Sequence, residues 1–415
     1  MTKFISFKQW LAESITPTVN KHMTHAEDLV ILSGKEGLDW VINMFRLLHK
    51  KLQGNTERSD IKLSIKFDGA PSVFVWSEFP GMEKAGVAIK ALFAKDPKIM
   101  YTDDQVDHYY GEQKDLAFKL KMMLNYIPSL GIPKGEIWQG DFLFDKTTLK
   151  KEKTYLSFHP NTIVYKVPID SDLGKKVEQA DIGVVWHTRY EGESLGEISA
   201  KYNTKTNELN ENPKVFMTDP YIASMAGIVT LTDEENSYFE EQISELESVA
   251  KNFGQTGEYN KIISNTDFTT LFTTFQNSLI RRDVRVKDNE QFLSELSNFI
   301  NQRFEKEIEA KKTPKAKEAL VEKQHQMIVI AESEELKTIS SIIMEITKLK
   351  NLFIKKLNNI NKFETFLETK EGKYISTGEE GFAVSDIDGN IVKLVDRYEF
   401  SFANFSPNIV KGWTK

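Results

Sequence analysis

The chain has 415 residues, 40% hydrophobic and 28% charged, which is enough apolar material for a large core and for more than one domain. Its 54 Lys and Arg against 61 Asp and Glu give a net charge of −7, which argues against a passive polyanion binder and leaves room for one local basic groove. There is no cysteine, which excludes disulfides, thiolate metal sites and cysteine nucleophiles, and no apolar run approaches the ~18 residues that span a bilayer.

In the opening stretch Lys8, Gln9 and Trp10 interrupt any hydrophobic region, so no signal peptide is read and a cytoplasmic location is expected. Apolar residues at helical spacing over Phe4 to Leu11 and Ala26 to Leu52 predict that residues 1–60 form a helical segment packed on the core. From Ile61 the period changes. Lys62 to Phe67 alternates polar and apolar, Pro71 to Trp76 is β-rich, and Gly69-Ala70 between them suggests a strand, a tight turn and a second strand. Gly86 to Phe93, Glu136 to Phe144, Asn161 to Val167 and Ile182 to Thr188 are further β-rich segments, so residues 61–232 are expected to build a mixed, largely antiparallel sheet.

Residues 233–370 read as helical, through Glu234 to Asn252, Phe268 to Leu279 and a long charged stretch. There Ile339, Ile342, Ile346, Leu349, Phe353, Ile360, Phe363 and Leu367 follow one another at spacings close to three and four, the pattern of one long amphipathic helix or a hairpin arm. Pro314 marks a break between helices. β-character returns in residues 371–415, where Gly381 to Asp386 and Asn390 to Val395 flank the hairpin-turn pair Asp388-Gly389. The expected fold class is α+β, a sheet core interrupted by a large helical insertion.

The sharpest local motif is Lys66-Phe67-Asp68-Gly69. A lysine is a nucleophile only when its amine is neutral, which neighbouring cations or desolvation must bring about. A surface lysine before an Asp-Gly turn has the same four letters, so the motif alone is weak. Other segments add to it. Asp141 stands among apolar strand residues, Trp186 closes Gly183-Val184-Val185, and Glu380-Gly381 precedes Val392-Lys393-Leu394. In that order they supply a nucleophile, a carboxylate for metal or ribose, a ring to stack on a base, a second carboxylate and a lysine for an α-phosphate.

These segments resemble the motifs of the covalent nucleotidyltransferase superfamily, which contains ATP-dependent DNA ligases, RNA ligases and messenger-RNA capping enzymes. Lys66, Asp68 and Gly69 match its KxDG motif, and Gly140-Asp141 its third, usually Gly-Glu. Val184-Val185-Trp186 match the strand with the base-stacking aromatic, Glu380-Gly381 the fourth motif, and Lys393 one lysine of the fifth. The segments His22 to Asp28, Phe67 to Pro71 and Phe158 to Thr162 also resemble uncharacterised ligase-like proteins of T4-like tailed phages, and a phage origin would place the protein in a host cell's cytoplasm. The chain departs from the superfamily at Pro71, where ligases carry Arg, at Asp141 in place of Glu, in the missing partner lysine of the fifth motif, and in the roughly 190 residues between Trp186 and Glu380.

The resemblance implies a ligase adenylation-domain-like core in which Lys66 takes AMP from ATP. Ser64, Asp68, Gly69, Asp141, Trp186, Glu380 and Lys393 would bind the nucleotide, and Glu380 with Asp141 would hold Mg²⁺. Lys90, Lys95, His22, His25 and Arg397 are candidates for contacting substrate phosphate, the two histidines from one or two turns of an N-terminal helix. The implied function is an ATP-dependent polynucleotide ligase acting on nucleic acid ends. RNA is favoured over DNA, because only 22 residues follow Lys393, too few for the C-terminal OB domain of DNA ligases and capping enzymes. Two other readings stay open: nucleotidyl transfer to a protein, small molecule or modified base, and an inactive ligase-like scaffold. The oligomeric state is not legible in the sequence.

Overall fold

The computed structural model describes residues 23–54, 61–202, 204–222, 231–251, 253–254, 257–360, 362–386 and 390–414. The expected helix over Phe4 to Leu11, His22 and the Asp388-Gly389 turn lie outside them. The protein is α+β with largely antiparallel sheets. Among the described residues no helix is long and apolar enough to cross a membrane.

Three sheets carry the β-structure. In the first, β1 (Thr24–His25) runs parallel to β15 (Ile391–Leu394), which pairs antiparallel with β14 (Gly381–Asp386), which pairs with β2 (Ile61–Lys66). The second has β4 (Gly86–Ala88), β3 (Ser72–Trp76), β5 (Glu136–Asp145), β9 (Ile182–Glu191) and β10 (Ser199–Lys201) in antiparallel order, with β11 (Val215–Thr218) parallel to β9. The third is the antiparallel series β13 (Tyr374–Ser376), β12 (Glu364–Glu368), β8 (Ile163–Pro168), β7 (Tyr155–Phe158) and β6 (Lys150–Lys151). The two β-rich runs around Gly69-Ala70 are therefore not a hairpin. β2 and β3 belong to different sheets, and the KxDG segment is the crossing between them.

Among the described residues the α-helices of eight residues or more are α1 (Leu29–Leu52), α2 (Asp103–Tyr110), α3 (Lys114–Leu130), α4 (Asp172–Gln179), α5 (Asp233–Ala250), α6 (Gly257–Ser264), α7 (Thr266–Arg281), α8 (Asn289–Glu309), α9 (Pro314–Ala331) and α10 (Glu334–Leu357). Pro314 stands at the first turn of α9, where its missing N–H is no loss, so the break expected there lies at residues 310–313. The apolar stripe expected to continue to Leu367 stops being helical at Leu357. Phe363 instead enters an aromatic cluster, edge-on to Phe158 at 5.3 Å and to Tyr165 at 5.9 Å, and Leu367 is in β12. Likewise Gly86 to Phe93 is a strand only to Ala88, followed by a 3-10 turn, Lys90–Phe93.

Two hydrophobic cores result. In the first, Ile61, Leu63 and Ile65 of β2, with Phe382 and Val384 of β14, pack under α1, α5 and α10. Phe353 of α10 stacks on Phe45 of α1 at 5.3 Å and meets Phe239 of α5 at 4.7 Å. The second core lies between β3, β5, β9 and helices α2 and α3, around Trp76, Trp138, Trp186, Leu120 and Met123.

Candidate functional site

Alternation along β2 divides its side chains. Ile61, Leu63 and Ile65 are buried in the core, so Ser64 and Lys66 point the other way, into a cavity of about 410 Å³. That volume lies in the range of small-molecule sites. In the β2–β14 register Lys66 is opposite Gly381, which sets Glu380 beside it. Gly381 has φ 150°, a conformation that favours glycine, and a Cβ there would collide with the Leu394 carbonyl oxygen. Lys66 Nζ donates to Glu380 Oε2, with the two side chains 26% and 14% exposed. Lys393, between the buried Val392 and Leu394 of β15, opens into the same cavity, and so does Asp141 of β5.

The charges in this cavity are mutually dependent. Burial pushes the Lys66 ammonium down, but the Glu380 carboxylate and its hydrogen bond, then Asp141 and Asp68, outweigh it and hold Lys66 above the ordinary lysine range. Burial raises Glu380 to about 7, against the opposing pull of Lys66. Burial, then the Lys66 charge, lowers Lys393. At Asp141 burial is overcome by His187, Ser72 and Lys66, leaving the carboxyl below its usual range, and His187 Nε2 lies 3.5 Å from Asp141 Oδ2. The resting state is thus an ion pair whose base titrates near neutrality.

Several expected contributors lie elsewhere. Trp186 is fully buried in the second core, edge-on to Trp138 at 6.3 Å. It does not line the cavity, because its neighbours Val185 and His187 do and successive strand residues point to opposite faces. Asp68 is also turned away. Its carboxylate accepts hydrogen bonds from Asn161 Nδ2 at 2.7 Å and the Ile163 amide at 2.8 Å, and so ties the KxDG segment to the start of β8. Gly69 serves the same crossing, since a Cβ there would lie 2.6 Å from Asp141 Cβ.

Arg397 is buried against Asp28 and Glu27 and is occupied by them rather than facing the cavity. His25 is on strand β1, opposite Lys393, instead of on a helix. Burial, reinforced by Arg397 and Lys393, keeps its ring well below the ordinary histidine range, so it offers no cation to a phosphate at neutral pH. Of the two surface lysines, Lys90 lines the cavity and Lys95 does not.

A family model described as a family of unknown function, DUF6267, matches residues 20–409. The chain belongs to this family. No curated protein and no solved structure matches it. The matched span of this DUF6267 protein contains every cavity residue named above.

Some cavity residues carry no motif of their own. Tyr221 reaches it because Pro220 to Ile222 runs alongside β2, with the Ile65 amide donating to the Pro220 carbonyl at 2.9 Å and the Ile222 amide to the Leu63 carbonyl at 3.0 Å. The Tyr221 hydroxyl donates to the His187 carbonyl at 2.7 Å. With Tyr190, Tyr202 and His187 it gives the cavity the rings that Trp186 does not. No pattern around Pro220 announces this; only the pairing with β2 creates it. Among the described residues no group of three or more His, Asp or Glu side chains is placed to hold a metal alone. Two carboxylates beside a lysine suit Mg²⁺, which is commonly bound through one or two carboxylates and the oxygens of a substrate phosphate.

Proposed function

We propose that this protein is a covalent nucleotidyltransferase that takes AMP from ATP onto Lys66 and passes it to a 5′-phosphate end of a nucleic acid, with RNA favoured over DNA. The observation that carries the reading is the Lys66–Glu380 pair, with Lys393 two strands away and Asp141 across the same cavity. Lys66 reacts as the neutral amine after its ammonium loses a proton to solvent; its lone pair forms the N–P bond at the α-phosphorus, and the second proton that the nitrogen then sheds also goes to solvent. The bond from that phosphorus to the β-bridging oxygen breaks, and pyrophosphate leaves with the electron pair. In the second step an oxygen of the acceptor's 5′-phosphate attacks the same phosphorus, the N–P bond breaks, and the amine regains its two protons from solvent.

Lys393 stabilises the charge that develops on the α-phosphate oxygens, a role that a fixed cation in a partly water-excluded site performs well. Lys90 extends the positive wall toward the rim, and Tyr221 and His187 offer ring faces to the base. Glu380 and Asp141 are the residues that would hold Mg²⁺, which offsets phosphate charge when bound. A DUF6267 protein of this kind labels itself. Incubation with α-³²P-ATP and Mg²⁺ followed by denaturing electrophoresis is expected to give a covalent band, and Lys66→Ala is expected to lose it. An equally labelled Lys66→Ala variant overturns the assignment. A wild-type label that never transfers to any nucleic acid end moves the acceptor to a protein or small molecule.

A further inference from the structure

A second cavity of about 300 Å³ opens beyond the far end of the KxDG crossing. Lys66 and Phe67 line the first cavity, and Ala70, four residues on, lines the second. Its floor is apolar, formed by Leu143, Phe144 and Phe158, whose phenyl rings lie 5.1 Å apart. Its walls are polar: His159 Nδ1 lies 3.3 Å from Glu368 Oε2 and His159 Nε2 3.3 Å from the Thr162 carbonyl oxygen, Lys119 is paired at 2.7 Å with Asp115, which also lines the cavity, and Lys150 contributes a further cation. Two aromatic side chains stand at its rim, Tyr374 at 40% and Trp413 at 66% exposure.

The exposed indole is held in place. The Gly412 amide donates to the Asn161 carbonyl at 2.7 Å, and a Cβ at Gly412 would collide with the His159 carbonyl oxygen, so this segment lies directly on the strand-connecting turn. Trp413 Nε1 donates to Asn161 Oδ1 at 3.0 Å, and the same Asn161 amide donates through Nδ2 to Asp68 at 2.7 Å. A large aromatic ring is thus fixed in solvent, one hydrogen-bonded side chain from the segment that carries Lys66. Fixed rings beside cations are how proteins hold single-stranded nucleic acid, with the base stacked and the phosphate paired.

We propose that the second cavity binds one nucleotide of a single-stranded nucleic acid, its base stacked on Trp413 at the rim and its phosphate facing Lys150. The proposal rests on the nucleic-acid reading of the acceptor and adds a subsite to it.

The test uses the full chain and a fluorescein-labelled, 5′-phosphorylated single-stranded RNA of eight nucleotides, with binding read by anisotropy, and AMP as a separate competitor. Trp413→Leu is expected to weaken RNA binding about tenfold, the loss of one stacked base. Lys150→Glu is expected to lower the slope of log affinity against log salt by about one. Both residues are exposed, so their variants keep the fold, and both should still take the label from α-³²P-ATP. RNA binding that is unchanged in both variants overturns the subsite. Trp413-dependent binding of AMP with no gain for RNA also overturns it, in favour of a free-nucleotide site. Trp413-dependent RNA binding in a protein that never labels with ATP keeps the subsite and removes the proposed transfer reaction.

Discussion

Glu379 stands next to Glu380 in sequence and has the opposite surroundings. It is 5% exposed, neither of its carboxylate oxygens has a hydrogen-bond partner among the described residues, and burial, then Asp68, raises it to about 8. A carboxyl whose folded pKa exceeds its unfolded value supports the fold fully below the unfolded value of 4.5, and that support is lost as pH rises through about 8. Glu379→Gln is therefore expected to be more stable than wild type at pH 9, by an upper bound of roughly 5 kcal/mol, with the gap closing toward pH 5. Urea denaturation at the two pH values measures it, and a gap independent of pH would show that ionisation of Glu379 is not its cause. Trp186 offers a second contrast. Because its ring lies in the second core, Trp186→Phe is expected to cost ~1–3 kcal/mol of stability and to leave the KM for ATP in self-labelling unchanged. A raised KM would return the ring to the cavity.

At the scale of elements, a buried charge network joins three distant parts of the chain. Lys350 of α10, fully buried, donates to Glu27 at 2.7 Å, and Arg397 pairs with Asp28 and lies 3.4 Å from Glu27. This holds α10, the turn before α1 and the segment after β15 in one arrangement, and β15 carries Lys393. Removing one partner strands the other, so Lys350→Met is expected to destabilise by about 3–5 kcal/mol, and adding Glu27→Gln to recover part of that loss. Chemical denaturation of the single and double variants decides it, and additive losses would show that the two side chains are not coupled. The alternation of β2 was readable in advance because that strand buries one face only. The end of α10 was not: the periodic apolar spacing runs on to Leu367, but the helix ends at Leu357 and Phe363 is buried among rings from β7 and β8.

At the scale of the whole molecule, the helices of residues 233–357 are covalently an interruption and physically a wall of the first core. Ile346, Leu349 and Phe353 of α10 share that core with Phe45 of α1 and Phe382 of β14. Replacing residues 233–357 by a short linker is accordingly expected to abolish the cooperative thermal transition, as followed by circular dichroism. A truncated chain that still melts cooperatively would show that the sheets fold without the helices.

The α+β class, the change of period at Ile61 and the return of strands near Gly381 were legible in the order of residues, because they depend on local periodicity and on short motifs. The membership of β2 and β3 in separate sheets was not, since a Gly-Ala pair between two strands is compatible with a hairpin or a crossing. Nor were the burial of Trp186, the structural use of Asp68 and Arg397, or the arrival of Tyr221 at the cavity. Each of these depends on which neighbour, often more than a hundred residues away, occupies the other side of a backbone, and such contacts exist only once the sheets have paired and the cores have closed.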